Sequence, residues 1–496
     1  MPSSLSIITF LTSFATVLAR TGPEIASYFR DHLSETSAVY LPSESNYTLE
    51  TTQRWNAFSA PTYIVSVKPT TDLDVQKIIE YAYRHHISFL GTGGGHGYSA
   101  TLGTVQNGIE IDLSHFNTVA IDKDANTMTV GGSVHFANIT GPLYEAGKEF
   151  QVGSCSCVGI VGASLGGGVG PYGGLHGLQL DALQSVRMVT GTGSLINVSA
   201  TSHPELWWGM RGAGFNFGIV TSATYQVYNF TNNGQAMNAD FRFRASQNAT
   251  LYNFAQSFTG KIPDAFSIDL AIGYDEAFGG TYIFANFIYV GPLEEGLALI
   301  QPLIDLGPLE QNITMIPWKD IETTAHFGAD PLSCIKGNFH SVWGLNLYQI
   351  DVPTLMSALE YMDTVYAQYP VFRASFLAID MYASRVVESV ADDSTAYPYR
   401  NAVARFLLDV GFKNSSLATA ASEVGRSARA LFIPTSGAST SNIEVYVNYG
   451  HGDEGQLGWY TERKLPRLNA LKKRFDPHGL FSHYNALEAT YDVPKF

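Results

Sequence analysis

The pattern of apolar and polar positions divides the chain into a glycine-rich first half and a second half of long alternating runs. Residues 61–69 are predicted to form a strand that ends at a proline. After it, Thr71 can cap a helix whose apolar face is Val75, Ile78, Ile79 and Ala82. Residues 87–90 form the next predicted strand, which leads directly into the glycine loop 91–97. A strand–helix–strand unit that ends in a glycine loop is typical of an α/β layer that binds a cofactor.

The densest glycine segment lies at residues 151–177, which hold ten glycines in 27 positions. We expect this segment to be a loop without helix or regular strand, because glycine weakens both. Its backbone is then free to lie close against a ligand. Around it, short alternating strands are predicted at 109–113 and 127–130, a hairpin at 183–197, and a glycine turn that feeds a strand at 211–228.

Beyond about residue 230 the glycine clusters stop and longer alternating runs begin. These predicted strands lie at 266–272, 281–290, 372–383 and 401–410. Helical runs follow at 354–368 and 417–431, and a last helix at about 461–475. This order predicts an antiparallel sheet covered by helices, in an α+β domain separate from the first half.

Composition limits the possible classes of protein. The chain has 496 residues, of which 45% are apolar and 15% charged, so it can bury a large core and is not disordered overall. Its 29 basic and 44 acidic residues give a net charge of −15. An acidic surface repels phosphate backbones, so no nucleic-acid partner is expected.

The N-terminus resembles a targeting segment. Residues 5–19 are apolar and uncharged, with small residues before a cleavage point near Ala19, so residues 1–19 are predicted to be a signal peptide. A buried N-terminal helix is the alternative. No second apolar run of membrane-spanning length follows, so no membrane anchor is expected. We therefore expect a secreted protein or one in the secretory-pathway lumen, with glycosylation sequons at Asn46, Asn138, Asn197, Asn229, Asn248, Asn312 and Asn414.

Two reactive side chains lie inside the glycine loops. His96 is in the first loop and Cys155 begins the second. The three cysteines are an odd number, so at least one cannot join an internal disulfide. Neither a Walker motif nor a clear Rossmann fingerprint is present. A histidine and a cysteine, each placed where backbone lies against a ligand, suggest that the ligand is covalently tethered.

At this point the sequence resembles the berberine-bridge-enzyme-like branch of the vanillyl-alcohol-oxidase-type FAD flavoproteins, from about Pro61 to the C-terminus. Five motifs carry the resemblance in the same order as in that family. They are GGGHGYS at 93–99, the Cys155 segment, LWWGMRGAGFNFGIVT at 206–221, TAYPYR at 395–400, and the closing motifs from VNYG at 447–450 to FDPHGLF at 475–481.

The resemblance implies a two-domain fold with a split FAD-binding domain. Its N-terminal part would be residues 20–230, the substrate domain 231–440, and the returning segment 441–496. It also implies FAD tethered twice, through His96 to the flavin 8α carbon and through Cys155 to C6. The latter needs a thiolate, hence a lowered pKa of Cys155. The other cofactor-binding residues would be Gly93, Gly94, Gly95, Gly97, Val158, Gly159, Gly162, Gly166, Gly167, Gly168, Gly218 and Ile219.

The resemblance implies an oxidase that transfers hydride from a small alcohol, sugar or secondary-metabolite substrate to flavin, while a base removes the adjacent proton. Tyr449 is the first choice of base, Tyr98 is a second active-site residue, and Glu388 is the reserve. A tyrosine base needs a nearby cation or hydrogen bonds, and the candidates for that cation are Arg385 and Arg400. Val158 matches the oxygen-gate position, where valine is associated with O2 as acceptor and release of H2O2. We assign no metal site.

Several alternatives remain open from the sequence. His96 and Cys155 could be ordinary loop residues, and Tyr449 an interior packing residue. The flavin could serve a cyclase or isomerase of secondary metabolism without net redox, or the site could be vestigial in a binding protein. Four residues depart from the plant members of the family: Thr92, Ala163, Val169 and Tyr399. These departures favour a microbial branch and leave the substrate class open. The sequence also leaves the oligomeric state open.

Overall fold

The structure is a computed structural model that describes residues 20–440 and 442–488. The predicted signal peptide, residues 1–19, lies outside the described residues. No helix within the described ranges has the length and apolar character needed to cross a bilayer.

The described ranges contain eighteen β-strands, numbered here in chain order. They are β1 (Ala38–Tyr40), β2 (Tyr63–Lys68), β3 (Phe89–Thr92), β4 (Gly108–Asp112), β5 (Val119–Asp122), β6 (Thr127–Gly131), β7 (Lys148–Glu149), β8 (Leu183–Thr190), β9 (Leu195–Ser199), β10 (Gly218–Gln226), β11 (Tyr228–Asn229), β12 (Gln235–Arg244), β13 (Phe266–Asp275), β14 (Gly280–Tyr289), β15 (Glu310–Pro317), β16 (Phe339–Leu347), β17 (Phe376–Tyr382) and β18 (Ala404–Phe412).

The α-helices vary from single turns to a helix of seventeen residues. They are α1 (Gly22–His32), α2 (Tyr47–Glu50), α3 (Asp72–Arg84), α4 (Ala137–Glu145), α5 (Ile160–Gly166), α6 (Gly173–His176), α7 (Gln179–Ala182), α8 (Pro204–Ala213), α9 (Asn248–Ser257), α10 (Leu293–Asp305), α11 (Ile321–Gly328), α12 (Asp330–Ser333), α13 (Val352–Gln368), α14 (Arg385–Ser389), α15 (Ala418–Phe432), α16 (Gly455–Tyr460) and α17 (Leu465–Phe475).

Two sheets form the first half of the molecule. The first has the strand order β1-β2-β4-β3, and β2, β4 and β3 run parallel. Helix α3 connects β2 to β3; it begins where the Thr71 side chain accepts a hydrogen bond from the backbone N–H of Asp74, as predicted. The second sheet is antiparallel, in the order β5-β6-β10-β8-β9, and contains the predicted 183–197 hairpin as β8 and β9.

The second half of the molecule is built on one antiparallel sheet of seven strands, in the order β15-β12-β14-β13-β17-β18-β16. Apolar side chains from one face of this sheet pack under α9, α13 and α15 in a single core cluster. The predicted α+β class, with an antiparallel sheet covered by helices, is confirmed.

Polar residues follow the other face of this sheet in one continuous row. Strand pairing places one residue of each strand opposite one of the next, and directly opposed residues point to the same face. Across the seven strands the row is Asn312, Asp240, Asn286, Asp269, Asp380, Arg405 and Asn346. The sheet therefore carries a polar stripe, mostly buried, on the face away from α9, α13 and α15.

The C-terminal segment packs back onto the first half of the chain. Lys472 of α17 donates to the backbone carbonyl of Asn216 at 3.0 Å, and the side chain of Asn216 donates to the Tyr460 hydroxyl at 3.0 Å. Asn485 accepts a hydrogen bond from Ser99 at 2.6 Å. The segment from residue 445 onward therefore closes over the loop that follows β3.

One expectation about secondary structure was wrong. Residues 151–177 were predicted to lack helix, but α5 and α6 both form there. Burial accounts for α5, because Ile160, Val161 and Leu165 of this helix lie in the core of the first half of the chain. Tertiary packing of these apolar residues outweighs the cost of the helical glycines.

Candidate functional site

The loop after β3 carries the first predicted tether. Its glycines lie against other backbone: a Cβ on Gly93 would come within 2.6 Å of the Gly132 carbonyl oxygen, and one on Gly94 within 2.9 Å of the Gly159 nitrogen. Gly95 has a φ of +71°, which side-chain-bearing residues rarely adopt. The loop can therefore pass close to its neighbours only as glycine.

His96 is held in this loop as a neutral imidazole. Burial, and after it the charge of Arg54, lowers the pKa of His96 to about 3. Its Nε2 atom is buried and has no hydrogen-bond partner within the described protein. Trp55 stacks on the ring of His96 with centroids 4.7 Å apart and on that of His340 at 4.0 Å. The imidazole is thus fixed in position with a free nucleophilic nitrogen.

Cys155 is the free thiol. Cys157 and Cys334 form a disulfide that links the second glycine loop to the segment after α12. Cys155 remains reduced beside it. Burial, with the charges of Asp330 and Glu322, raises the pKa of Cys155 to about 12. The lowered pKa that tethering needs is therefore not provided by these protein groups; they act in the opposite direction, since a buried thiol next to carboxylates resists ionisation.

The two loops meet each other directly. A Cβ on Gly159 would lie 3.1 Å from the nitrogen of Gly94, and the backbone carbonyl of Val158 accepts a hydrogen bond from the Phe136 N–H at 3.1 Å. His96 and Cys155 are consequently carried by adjoining stretches of glycine backbone.

The remaining predicted cofactor-binding residues fall into two groups. Gly166, Gly167 and Gly168 end α5 and pack against Asn448, Tyr446 and Gln179, whereas Gly162 of the same helix has open space around it. Gly218 begins β10, and the side chain of its neighbour Ile219 would meet a Cβ on Gly91 at 3.1 Å. Gly97 lies against the side chains of Arg54 and Tyr484.

These residues fit a flavin. The fit rests on an unpartnered imidazole nitrogen at His96, a free thiol at Cys155, and two adjoining loops of glycine backbone, whose N–H groups can approach a flat or anionic ligand closely. Both nucleophile types required for a double tether are present, although only His96 already has its reactive protonation state.

Tyr449 lies in the 445–450 segment, at the end of a short 3₁₀ turn, Val447–Tyr449. Its hydroxyl donates a hydrogen bond to the Asp380 carboxylate at 2.8 Å. Burial and the negative charge of Asp380 raise the pKa of Tyr449 far above its usual value, so the phenol keeps its proton. Tyr98 is half-buried and close enough to Tyr449 to contribute to the raised pKa of that phenol.

Asp380 is the acceptor in this pair and comes from β17. Burial, and next the charge of Asp269, raises its pKa to about 7, while the Tyr449 hydrogen bond and Arg405 act in the opposite direction. Arg405 lies directly opposite Asp380 on β18. It is therefore the cation beside Tyr449, rather than either arginine suggested from the sequence.

Those two arginines are engaged elsewhere. Arg385 is exposed and pairs with Asp264, and Arg400 makes a double hydrogen bond to Asp181 at 2.8 and 3.0 Å. The reserve base Glu388 is exposed and accepts a hydrogen bond from Ser384 at 2.5 Å. A small cavity of about 10 Å³ lies beside Arg405, lined also by Val169, Gly170, Leu178, Tyr382 and Arg400.

Sequence reasoning missed Asp380, Asp269 and Arg405. The signal available was a charged residue interrupting an apolar strand, as in LAIDMY and SIDLAI. Such residues are rarely buried without a partner. Which partner each one has depends on strand register, which local sequence does not contain.

Comparison with known proteins identifies the class. Two family models match the chain: an FAD binding domain at residues 64–199 and "berberine and berberine like" at residues 445–488. The "FAD-linked oxidoreductase azaL" of Aspergillus niger is 42% identical over 452 residues, which cover 90% of this chain and 95% of that protein. The chain therefore belongs to the berberine-bridge-enzyme-like family of FAD-linked oxidoreductases.

Solved structures agree on the fold. The BBE-like 1 protein of Physcomitrella patens has a TM-score of 0.81 at 20% identity, covering 95% of this chain and all of that one. The xylooligosaccharide oxidase of Myceliophthora thermophila, solved with xylobiose, has a TM-score of 0.78 at 22% identity with the same coverage. The fold is that of the vanillyl-alcohol-oxidase-type flavoproteins, and the protein is an FAD-linked oxidoreductase.

Proposed function

We propose that the protein is an oxidase that removes a hydride from a carbon bearing oxygen or nitrogen, with Tyr449 as the base. The hydrogen bond of 2.8 Å from Tyr449 to Asp380 carries this proposal. It gives the tyrosine a carboxylate to which its own proton can pass.

The tyrosine acts through the carboxylate behind it. A neutral phenol is a poor base, but it can accept a proton from the substrate hydroxyl while passing its own proton to Asp380. The carboxylate must therefore be ionised before the substrate reacts. Arg405 favours that ionised state because its positive charge lies directly across the strand pair from Asp380.

Bound FAD would supply the two-electron acceptor for the hydride. His96 would hold it through Nε2, the unpartnered nitrogen, and Cys155 through its thiol. Because the thiol pKa is raised by burial, we expect attachment at His96 to precede attachment at Cys155. Val158, which follows the Cys155 loop, supports O2 as the final acceptor and H2O2 as its product.

The substrate is proposed to be a small alcohol, a sugar or a secondary-metabolite intermediate. The relative azaL, an FAD-linked oxidoreductase, supports FAD-dependent oxidoreduction but indicates no substrate. The Myceliophthora protein is named for xylooligosaccharides, but at 22% identity it supports a sugar only as one candidate.

The redox reaction is tested by mixing the flavin-loaded protein with sugars, primary alcohols and polyketide-like phenols in the absence of oxygen. One of these compounds is expected to bleach the visible flavin band, and admission of air should restore the band and release H2O2. Tyr449→Phe should slow the bleaching by roughly 100-fold or more, because proton transfer by a positioned base contributes on that order.

The controls separate the possible failures. Tyr361→Phe removes the hydroxyl of another half-buried tyrosine, which donates to the Val424 carbonyl at 3.1 Å, and should leave the bleaching rate unchanged. A compound that is converted without any bleaching would instead identify a cyclase or isomerase. Bleaching as fast in Tyr449→Phe as in the wild type would remove Tyr449 as the base.

We propose that the FAD is covalently attached and that the protein is secreted, and one measurement tests both proposals. Six of the seven sequon asparagines are exposed, the exception being Asn248, and a disulfide is typical of an oxidising compartment, which supports secretion. Peptide mass spectrometry of denatured protein should find flavin on the peptides of His96 and Cys155, glycans on the sequons, and an N-terminus near residue 20. His96→Ala should release most of the flavin on acid treatment; flavin fully released from the wild type would contradict the tether.

A further inference from the structure

The polar row contains an ion pair that the proposed reaction does not use. His326 Nε2 lies 2.9 Å from the Asp269 carboxylate. Asp269 lies directly opposite Asp380 in the pairing of β13 with β17. Two hydrogen-bonded pairs, Tyr449 with Asp380 and His326 with Asp269, therefore lie on opposed positions of adjacent strands.

The backbone is distorted to bring His326 to this place. Within α11, His326 and Phe327 have φ values of +61° and +54°, both in the left-handed region. Residues with side chains rarely adopt this region, and such a turn persists only where its surroundings hold it. The Asp240 carboxylate holds this turn by accepting the backbone N–H of His326 at 2.8 Å, and Arg242 lies over the Phe327 ring at 4.1 Å. A turn this costly, anchored at two points, indicates that the position of the imidazole matters.

The charges explain what the imidazole does. Burial opposes the charged form of His326, but the hydrogen bond and charge of Asp269 outweigh it and raise the pKa of His326. A positive His326 then cancels the negative charge of Asp269, which would otherwise face Asp380 directly. Two carboxylates on opposed positions of adjacent strands cannot easily both be ionised without such a cation.

We propose that His326, held in place by Asp269, is a positioning residue that offsets the charge of Asp269 and thereby keeps the carboxyl group of Asp380 ionised and able to accept the proton of Tyr449. This inference rests on the proposed role of Tyr449 as base. Neither residue touches the reacting atoms; both act through Asp380. The titratable and charged groups that interact with Asp380 in the described chain are Asp269, His326, Arg405, Tyr98, Tyr382 and Tyr449, and Asp240 acts on His326.

Two single substitutions should move the ionisation of Asp380 in opposite directions. His326→Asn removes the positive charge and tolerates the left-handed backbone, so it should raise the pH at which Asp380 ionises by about one unit or more. Asp269→Asn removes the like charge with almost no change of shape and should lower that pH. General damage to the fold has no reason to produce shifts of opposite sign.

The first measurement needs no substrate. Infrared spectra of the flavin-loaded protein, titrated with pH, should show the carbonyl stretch of a protonated carboxyl group that Asp380→Asn removes. That band should persist to higher pH in His326→Asn and disappear at lower pH in Asp269→Asn. The acidic limb of the pH profile for flavin reduction, measured with whichever compound bleaches the flavin, should shift in the same two directions.

His176→Asn is the matched control. His176, at the end of α6, also pairs with a buried carboxylate, that of Glu149, at 2.8 Å. Glu149 belongs to the two-stranded ribbon of β7 and β11, outside the seven-stranded sheet. Its removal should leave both the Asp380 band and the pH profile unchanged. The inference would be overturned if the Asp380 band in His326→Asn titrated at the wild-type pH, or if His326→Asn and Asp269→Asn shifted that pH equally.

The two proposals fail in distinguishable ways. If Tyr449→Phe reduces its flavin at the wild-type rate, the base assignment fails, whatever the infrared bands do. If Tyr449→Phe is slow but the band of Asp380 does not respond to His326 or Asp269, only the role of that ion pair is refuted.

Discussion

At the scale of single residues, Gly166 connects the helix behind the flavin loops to the segment that carries Tyr449. A Cβ on Gly166 would overlap the side chains of Asn448 and Val447. Asn448 cannot easily move aside, because its amide donates to the Ala163 carbonyl at 2.9 Å and to the Tyr446 hydroxyl at 2.7 Å. The absence of a side chain at Gly166 therefore sets the position of the neighbouring tyrosine.

Gly166→Ala is expected to lower both stability and activity. Overpacking a rigid contact costs about 1–3 kcal/mol, and relieving it must displace Asn448 and with it Tyr449. We expect a lower melting temperature and slower flavin reduction, measured on the flavin-loaded variant. Gly141→Ala is the comparison, because Gly141 is also helical, in α4, and a Cβ there meets nothing within 4 Å. It should be neutral or slightly stabilising; if both variants behave alike, the packing argument is wrong.

At the scale of elements, the sequence predicted what is locally encoded. Helix α3 was recognised because its cap and its apolar face lie within one short segment. The hairpin β8–β9 and the strands of the seven-stranded sheet were likewise found from alternation. Helix α5 was missed because its stability comes from burial of Ile160, Val161 and Leu165 against distant elements, which outweighs its glycine content.

The residues of the candidate site also divide into those that local sequence reveals and those that depend on the tertiary fold. The loops of His96 and Cys155 could be identified because glycine clusters and motifs lie beside them in sequence. The pairing of Asp380 with Asp269 could not, since it depends on how β17 aligns with β13. The disulfide between Cys157 and Cys334 was also beyond sequence reasoning, because three cysteines allow more than one pairing.

At the scale of the whole molecule, buried carboxyl groups tie stability to pH. Burial, and then the charge of Asp330, raises the pKa of Glu322 to about 8. Burial, and then Asp112, raises the pKa of Glu110 to about 7. Each group is held in its neutral form by the fold, whereas the unfolded chain ionises it near 4.5. The stability contributed by the neutral form is thus complete below pH 4.5 and is lost as pH rises through the folded-state values.

Glu322 provides the sharpest test of this coupling. One of its carboxyl oxygens, Oε1, is buried without a partner, and Glu322→Gln keeps the shape while removing the ionisation. The melting temperature of the wild type should fall, relative to Glu322→Gln, as pH rises from about 5 to about 8, because only the wild type must bury a carboxyl that the unfolded chain ionises. Glu423→Gln, at an exposed ion pair with Arg426, should follow the wild type at every pH. Parallel curves for wild type and Glu322→Gln would mean that Glu322 is ionised in the folded protein at an ordinary pH, and that the neighbourhood of Cys155 carries more negative charge than its burial suggests.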